Sequence, residues 1–375
     1  MKKSITKVGV ILIIILGVLF FVLYENCWKQ SNKHTNKKEK NNIENNINKI
    51  LSNMTLEEKV GQLFLVRYDK SLPDIYKDKN PGGYILFAKD FENNTKEEMK
   101  KELAYDQSIS KIPLLLGVDE EGGYVTRVSR FPSYRKEKFA SPKYYYETGG
   151  YELLEEMEKE KAELLKEIGI NLNLAPVADV SVNEEDFIYS RAFGRDAKET
   201  AEYVKHMVHV ANENGMNSCL KHFPGYGNNV DTHTGIAIDE RSYENFKEND
   251  FLPFEAGIKE DAPCILVSHN IVKSMDTEYP ASLSEKVIKE LRNTLHYDGV
   301  VITDDLAMDA VKSYVEDGRA ATLAVKAGND MIITSDFETM YSEILESVKE
   351  KRLSEELIDK AVLRILQWKE NSGLL

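Results

Sequence analysis

Short runs of apolar and β-branched residues alternate along this chain with longer stretches in which apolar positions recur at helical spacing. The short runs are Gln62–Arg67, Gly83–Phe87, Pro113–Val118, Asn171–Ala175, Asn217–Lys221, Cys264–Ser268, Gly299–Thr303 and Asp330–Thr334. The helical pattern is clearest over Tyr151–Ile168, Ala197–Asn214, Ser284–Thr294, Asp317–Ala327 and Ser354–Lys369. Strands that alternate with helices imply parallel β/α units. Eight such units in about 325 residues predict an α/β fold, a TIM-type (β/α)8 barrel, as a single catalytic domain with modest insertions.

The polar clusters fall just after the strands. Asp119-Glu120-Glu121-Gly122-Gly123 follows the third, Lys221-His222 closes the fifth, Ser268-His269-Asn270 follows the sixth and Asp304-Asp305 follows the seventh. In a (β/α)8 barrel the active site lies at the carboxyl-terminal end of the strands. Any one of these clusters could be a helix cap, Asp305 in particular; four at the same end point to a site.

The densest chemistry is Lys221-His222-Phe223-Pro224-Gly225, followed closely by Asp231-Thr232-His233. An imidazole with a reference pKa of ~6.5 suits general acid-base work near neutral pH. A carboxylate two residues away can hold one ring nitrogen and fix the tautomer. Gly225 and Gly227 permit backbone conformations that most residues resist, so the segment reads as an active-site loop.

Composition narrows the partners. The formal net charge of -14 is the opposite of the basic footprint of a nucleic-acid binder. Cys219 and Cys264 lie inside apolar strand-like runs and read as buried free thiols, and no Cys/His spacing suggests a metal site. Lys2, Lys3 and Lys7 precede an apolar run from Val8 to Tyr24, at the short end of the range for a spanning helix. It leads into Glu25-Asn26-Cys27 without a small-residue cleavage pattern, so residues 1–28 read as an uncleaved signal anchor rather than a signal peptide or a lipid-modified Cys27. The lysines stay cytoplasmic under the positive-inside rule, which places the rest of the chain outside the cell membrane. Residues 29–48, dominated by Lys and Asn, bury too little apolar surface to fold and read as a tether to a catalytic domain over residues 49–375.

The chain resembles the family 3 glycoside hydrolases, specifically their β-N-acetylglucosaminidase branch. The resemblance is carried by Met54-Thr55-Leu56-Glu57-Glu58-Lys59-Val60-Gly61-Gln62, Gly82 to Phe87, Asp119 to Gly123, Leu174 to Val180, Ser190-Arg191-Ala192-Phe193-Gly194, the Lys221 to His233 loop, and Asp298 to Met308. It implies a retaining exo-β-N-acetylglucosaminidase acting on cell-wall fragments derived from peptidoglycan, with no cofactor. By the same resemblance Asp304 matches the nucleophile, His233 the acid/base and Asp231 its dyad partner. Asp119, Arg127, Arg191, Lys221 and His222 match positions that hold the terminal N-acetylglucosamine. Tyr226 and Asn228 stand where the family loop often has His and Asp, so the loop's internal hydrogen bonds are expected to differ.

Three rival readings stand beside it. A metal-dependent hydrolase would gather His222, His269 and Asp304 around an ion. A catalytically silent, membrane-tethered sugar-binding protein would need no Asp304 or His233. A phosphorolytic relative would use phosphate in place of water, and an imidazole repels phosphate less than a carboxylate would.

Overall fold

The computed structural model describes residues 43–229, 237–308, 311, 314–315 and 319–375, in two units, Met1–Asn53 and Met54–Leu375. In the first unit residues 43–53 form a helix, which takes in the end of the stretch expected to be a tether. Ile43, Ile47, Ile50 and Leu51 recur there at helical spacing, an apolar stripe that the Lys/Asn content of the region masks. The apolar run Val8–Tyr24 lies outside the described residues, and among those described no helix is long and apolar enough to cross a membrane.

The second unit is built on eight parallel strands: β1 (Phe64–Arg67), β2 (Gly83–Leu86), β3 (Leu115–Val118), β4 (Leu172–Asn173), β5 (Asn217–Phe223), β6 (Cys264–Val267), β7 (Val300–Thr303) and β8 (Met331–Thr334). Each pairs with the next, and β8 pairs back onto β1, so the sheet closes into a barrel. These are the eight predicted strands in the predicted order. The differences are at their ends. Gln62 belongs to the preceding helix, and its side-chain amide donates to the carbonyls of Asn80 (2.6 Å) and Pro81 (3.2 Å). β5 runs on to Phe223, so Lys221 and His222 are strand residues whose backbone is fixed by the barrel.

Most strands are followed by a helix that covers the barrel wall. The chief ones are α1 (Leu56–Gln62, ahead of β1), α2 (Lys96–Ile109), α3 (Pro142–Glu167), α4 (Ala197–Glu213), α5 (Phe251–Lys259), α6 (Glu285–Lys289), α7 (Ala320–Ala327), α8 (Phe337–Lys349) and α9 (Glu355–Asn371). Local sequence starts them. Thr55 and Glu58 form a reciprocal capping box on α1, as Thr95 and Glu98 do on α2, each satisfying backbone donors that the first turn leaves open. α3 begins earlier than its apolar periodicity suggests, because Ser141 caps it and Gly149-Gly150 make a kink that interrupts the pattern. α6 continues as a π-turn over Glu290–Thr294, and α7 begins at Ala320. Cys219 and Cys264 face each other across β5 and β6 as buried free thiols.

Candidate active site

At the carboxyl-terminal mouth of the barrel, five of the expected sugar-binding residues come together. Lys221, 2% exposed, points its ammonium between Asp119 Oδ1 at 2.5 Å and Glu121 Oε1 at 2.6 Å. Glu121 is also gripped by Arg191, whose Nε and Nη2 donate to its two oxygens at 3.1 and 2.7 Å, a fork-to-fork geometry that fixes both planes. Arg191 Nη2 lies 3.2 Å from His222 Nε2. Arg127 stands at the rim, its Nη2 at 3.8 Å from Asp119 Oδ2 and its guanidinium 5.2 Å from the centre of the Phe87 ring.

His222 is oriented from behind. Its Nδ1 lies 2.7 Å from Asp179 Oδ2, which also accepts the His222 backbone N–H at 3.1 Å. A guanidinium can only donate, so Nε2 of His222 accepts from Arg191 and Nδ1 carries the proton toward Asp179. The other Asp179 oxygen accepts the backbone N–H of Tyr226 at 2.8 Å. Tyr226 is buried and meets the His222 ring edge-on at 5.1 Å. Of the two departures from the family loop, Tyr226 packs against the imidazole; next to the other, Asn228, the side chain of Asn229 donates to Tyr226 O (2.8 Å) and Asp239 Oδ2 (2.6 Å).

The electrostatics follow from burial. Desolvation alone would raise the Glu121 carboxyl, but Lys221 and Arg191 outweigh it and hold the group well below the usual carboxylate range. Burial would lower the Lys221 ammonium, and Asp119 and Glu121 overcome this and raise it. Arg191 follows the same pattern, with Glu121 as the main counter-charge. The cluster is a locked set of charges presenting both acceptors and donors, which is what sugar hydroxyls and an amide require.

Glu121, Asp179 and Glu120 also build the site, beyond the residues expected there from the sequence. Glu120 is fully buried and its carboxylate accepts the backbone N–H groups of Arg127 (2.7 Å), Val128 (2.7 Å) and Ser129 (3.3 Å) and the Ser129 hydroxyl, so it shapes the loop that presents Arg127. The signal for Glu120 and Glu121 was the run of three carboxylates after β3. For Asp179 it was an ionisable residue closing the apolar stretch from Leu174 to Ala178.

Asp304 follows β7 directly. Its backbone N–H bonds Val267 O at 3.0 Å and its Oδ1 accepts the Asp305 N–H at 2.8 Å. Asp305 is spent on local backbone, its Oδ1 accepting the N–H groups of Ala307 (2.8 Å) and Ser335 (3.3 Å), and burial raises its carboxyl above its ordinary value. Adjacent carboxylates are thus separated in role by their surroundings. Asp231 and His233 lie outside the described residues. His269 is held at Nδ1 by the Ser282 hydroxyl (2.7 Å) and at Nε2 by Asp305 O (3.1 Å). Both imidazoles of the metal-site rival therefore have their ring nitrogens committed to protein partners.

Comparison with known proteins identifies the family. Residues 55–368 match the model of the glycosyl hydrolase family 3 N terminal domain. Similar proteins include a beta-hexosaminidase of Nitrosomonas eutropha, 31% identical over 280 residues that span 72% of this chain and 77% of the relative. A beta-hexosaminidase of Methylobacillus flagellatus is 31% identical over 284 residues, 74% of this chain and 80% of the relative. Among solved structures, a family 3 beta-N-acetylglucosaminidase from Paenibacillus sp. str. FPU-7 superposes with a TM-score of 0.79 at 28% identity, over 86% of this chain and 63% of that one. A closed parallel barrel with this charge cluster at its mouth, matched over nearly its whole length, belongs to glycosyl hydrolase family 3 and is a glycoside hydrolase similar to the β-hexosaminidases.

Proposed function

We propose that the protein is a retaining exo-β-N-acetylglucosaminidase that removes terminal β-linked N-acetylglucosamine from peptidoglycan-derived fragments. The observation that carries this reading is the convergence of Asp119, Arg191, Lys221 and His222, with Glu121 between them, into one hydrogen-bonded, largely buried set at the barrel mouth, in a chain similar to beta-hexosaminidases. The set would hold the non-reducing sugar through its hydroxyls, with Arg127 at the rim. Asp304 would attack the anomeric carbon, forming an ester bond as the glycosidic C–O bond breaks. His233, oriented by Asp231, would donate a proton to the departing oxygen and then take one from the water that cleaves the ester. The apolar run Val8–Tyr24 would hold the enzyme on the outer face of the cell membrane, next to that substrate.

The test is covalent trapping. A slow-turnover fluorinated N-acetylglucosaminide should label Asp304, and Asp304→Asn should abolish both labelling and turnover without loss of fold. A label on Asp305, Glu120 or Glu121 would overturn the assignment. Assaying nitrophenyl N-acetyl-β-glucosaminide with and without phosphate separates hydrolysis, which releases free sugar in both cases, from phosphorolysis, which yields sugar phosphate.

A further inference from the structure

The segment between residues 229 and 237 carries Asp231 and His233, and its two ends are joined by a charge cluster outside the sugar-binding set. We infer that Arg241, with Asp239 and Asp250, is a positioning clasp that ties the two ends of this loop together and so sets where its acid/base residue stands. This rests on the assignment of His233 made above.

The geometry is saturated. Arg241 Nη1 donates to both oxygens of Asp250 at 3.0 and 2.8 Å. Its Nε lies 3.1 and 3.0 Å from the two oxygens of Asp239, and Nη2 donates to Asp239 Oδ2 at 2.8 Å and to Gly225 O at 3.1 Å. A guanidinium has five N–H donors, and this set engages them all. The cation also sits 4.3 Å from the centre of the Phe246 ring. Asp239 and Arg241 follow the loop; Gly225 and Asn229 precede it. Asn229 Nδ2 reaches Asp239 Oδ2 at 2.6 Å, so both sides of the loop meet on one buried carboxylate.

Gly225 and Gly227 fit this arrangement. Their φ values are +126° and +54°, and a Cβ on Gly225 would come within 2.2 Å of Asp250 Oδ1, one on Gly227 within 2.4 Å of Arg241 Cζ. The cluster thus packs directly against the turn at Gly225–Gly227 that leads into the loop. It is also linked to the sugar end, because Asp179 holds Tyr226 with one oxygen and His222 with the other. Two carboxylates are buried around one cation, and buried ion pairs of this kind contribute little net stability. What the fork supplies is direction, which a lysine at the same place cannot reproduce.

The test uses the full chain with Arg241→Lys, which keeps the charge and loses the fork, and Asp239→Asn as a second variant should the first fold poorly. Hydrogen exchange of peptides spanning residues 226–240 should accelerate by about tenfold or more while barrel-strand peptides stay protected. In activity, kcat on N-acetylglucosaminides with poor leaving groups should fall about 30-fold or more, against a few-fold at most for dinitrophenyl substrate, with inhibition by free N-acetylglucosamine unchanged. Unchanged exchange together with an unchanged leaving-group profile would overturn the clasp, as would an equal loss for all substrates with weakened sugar binding. Faster exchange alongside a His233→Ala variant that shows no leaving-group dependence would leave the clasp standing and remove the acid/base assignment instead.

Discussion

Replacing Glu121 with Gln removes one negative charge from the centre of the site while changing its volume hardly at all. In the native cluster this carboxylate is 4% exposed and receives Lys221 at 2.6 Å and two bonds from Arg191 at 2.7 and 3.1 Å. The amide keeps one acceptor and turns an NH2 group toward cations that can only donate. Breaking a buried ion pair by removing one partner costs about 3–5 kcal/mol. Lys221 retains Asp119 at 2.5 Å, so the lower end applies, about 3 kcal/mol. Where the displaced Arg191 and Lys221 are the groups that bind sugar, that energy corresponds to a fall in kcat/KM of roughly 150-fold, since each 1.36 kcal/mol is tenfold. Glu121→Asp keeps the charge and should retain much of the activity. The assay is initial-rate kinetics on nitrophenyl N-acetyl-β-glucosaminide, with urea denaturation as the stability readout. A pH series adds an independent check. The Glu121 carboxyl is depressed on folding, so its contribution is present above its unfolded value of about 4.5 and is lost as pH falls below it; Glu121→Gln should therefore flatten the acid limb of the stability curve. Activity within threefold of the parent, with the same urea midpoint, would show that Lys221 and Arg191 do not depend on Glu121 and refute the reasoning.

Other outcomes follow from the same contacts. His233→Ala should slow glycosylation chiefly for poor leaving groups and deglycosylation for all, with partial rescue by azide, and Asp231→Ala should give a milder version; equal loss without rescue would assign His233 to sugar binding. Lys369 is fully buried and its ammonium is lowered by burial to about 7, with its Nζ on Gln62 Oε1 at 2.8 Å. The unfolded chain then binds the extra proton between about pH 7 and 10.5, so stability rises with pH across that window. Lys369→Met should abolish that rise and stabilise the protein most at or below pH 7, by a few kcal/mol after the cost of orphaning Gln62; a stability gain that is the same at pH 6 and pH 10 would contradict it. Protease added to cells with an accessible outer face should release an active fragment by cutting between Lys29 and Asn48, and full protection would contradict the proposed topology.

The barrel was legible in the sequence because its determinants are local and periodic. Buried parallel strands need continuous apolar runs, and the eight runs mark their own positions to within a few residues. Helices with weak apolar periodicity, such as α2 with its Lys/Glu-rich face, were harder to see; their starts are written in capping boxes at Thr55 and Thr95 rather than in hydrophobic pattern. The polar clusters at strand ends located the mouth of the site, since the fold sends every such end to one face.

Pairing was decided only by the tertiary structure. Nothing in the spacing of Asp119, Glu121, Arg191 and Lys221 says that Glu121 would be shared between a lysine and an arginine 100 and 70 residues away, as it is in the fold. Arg241, in a polar segment, was likewise silent in sequence, and the end of an apolar stretch marked Asp179 without saying what it would hold. Asp179 meets His222 and Tyr226 of the next β/α unit, which the pairing of β4 with β5 brings alongside, whereas Arg241 finds Gly225, Asp239 and Asp250 within its own unit, where the chain folds back between β5 and β6. Burial then decides the chemistry: a carboxylate beside two buried cations stays ionised, while its neighbour in the chain, Glu120, is spent on backbone N–H groups. Sequence specifies which groups reach the mouth of the barrel, and distance and desolvation specify what each of them does there.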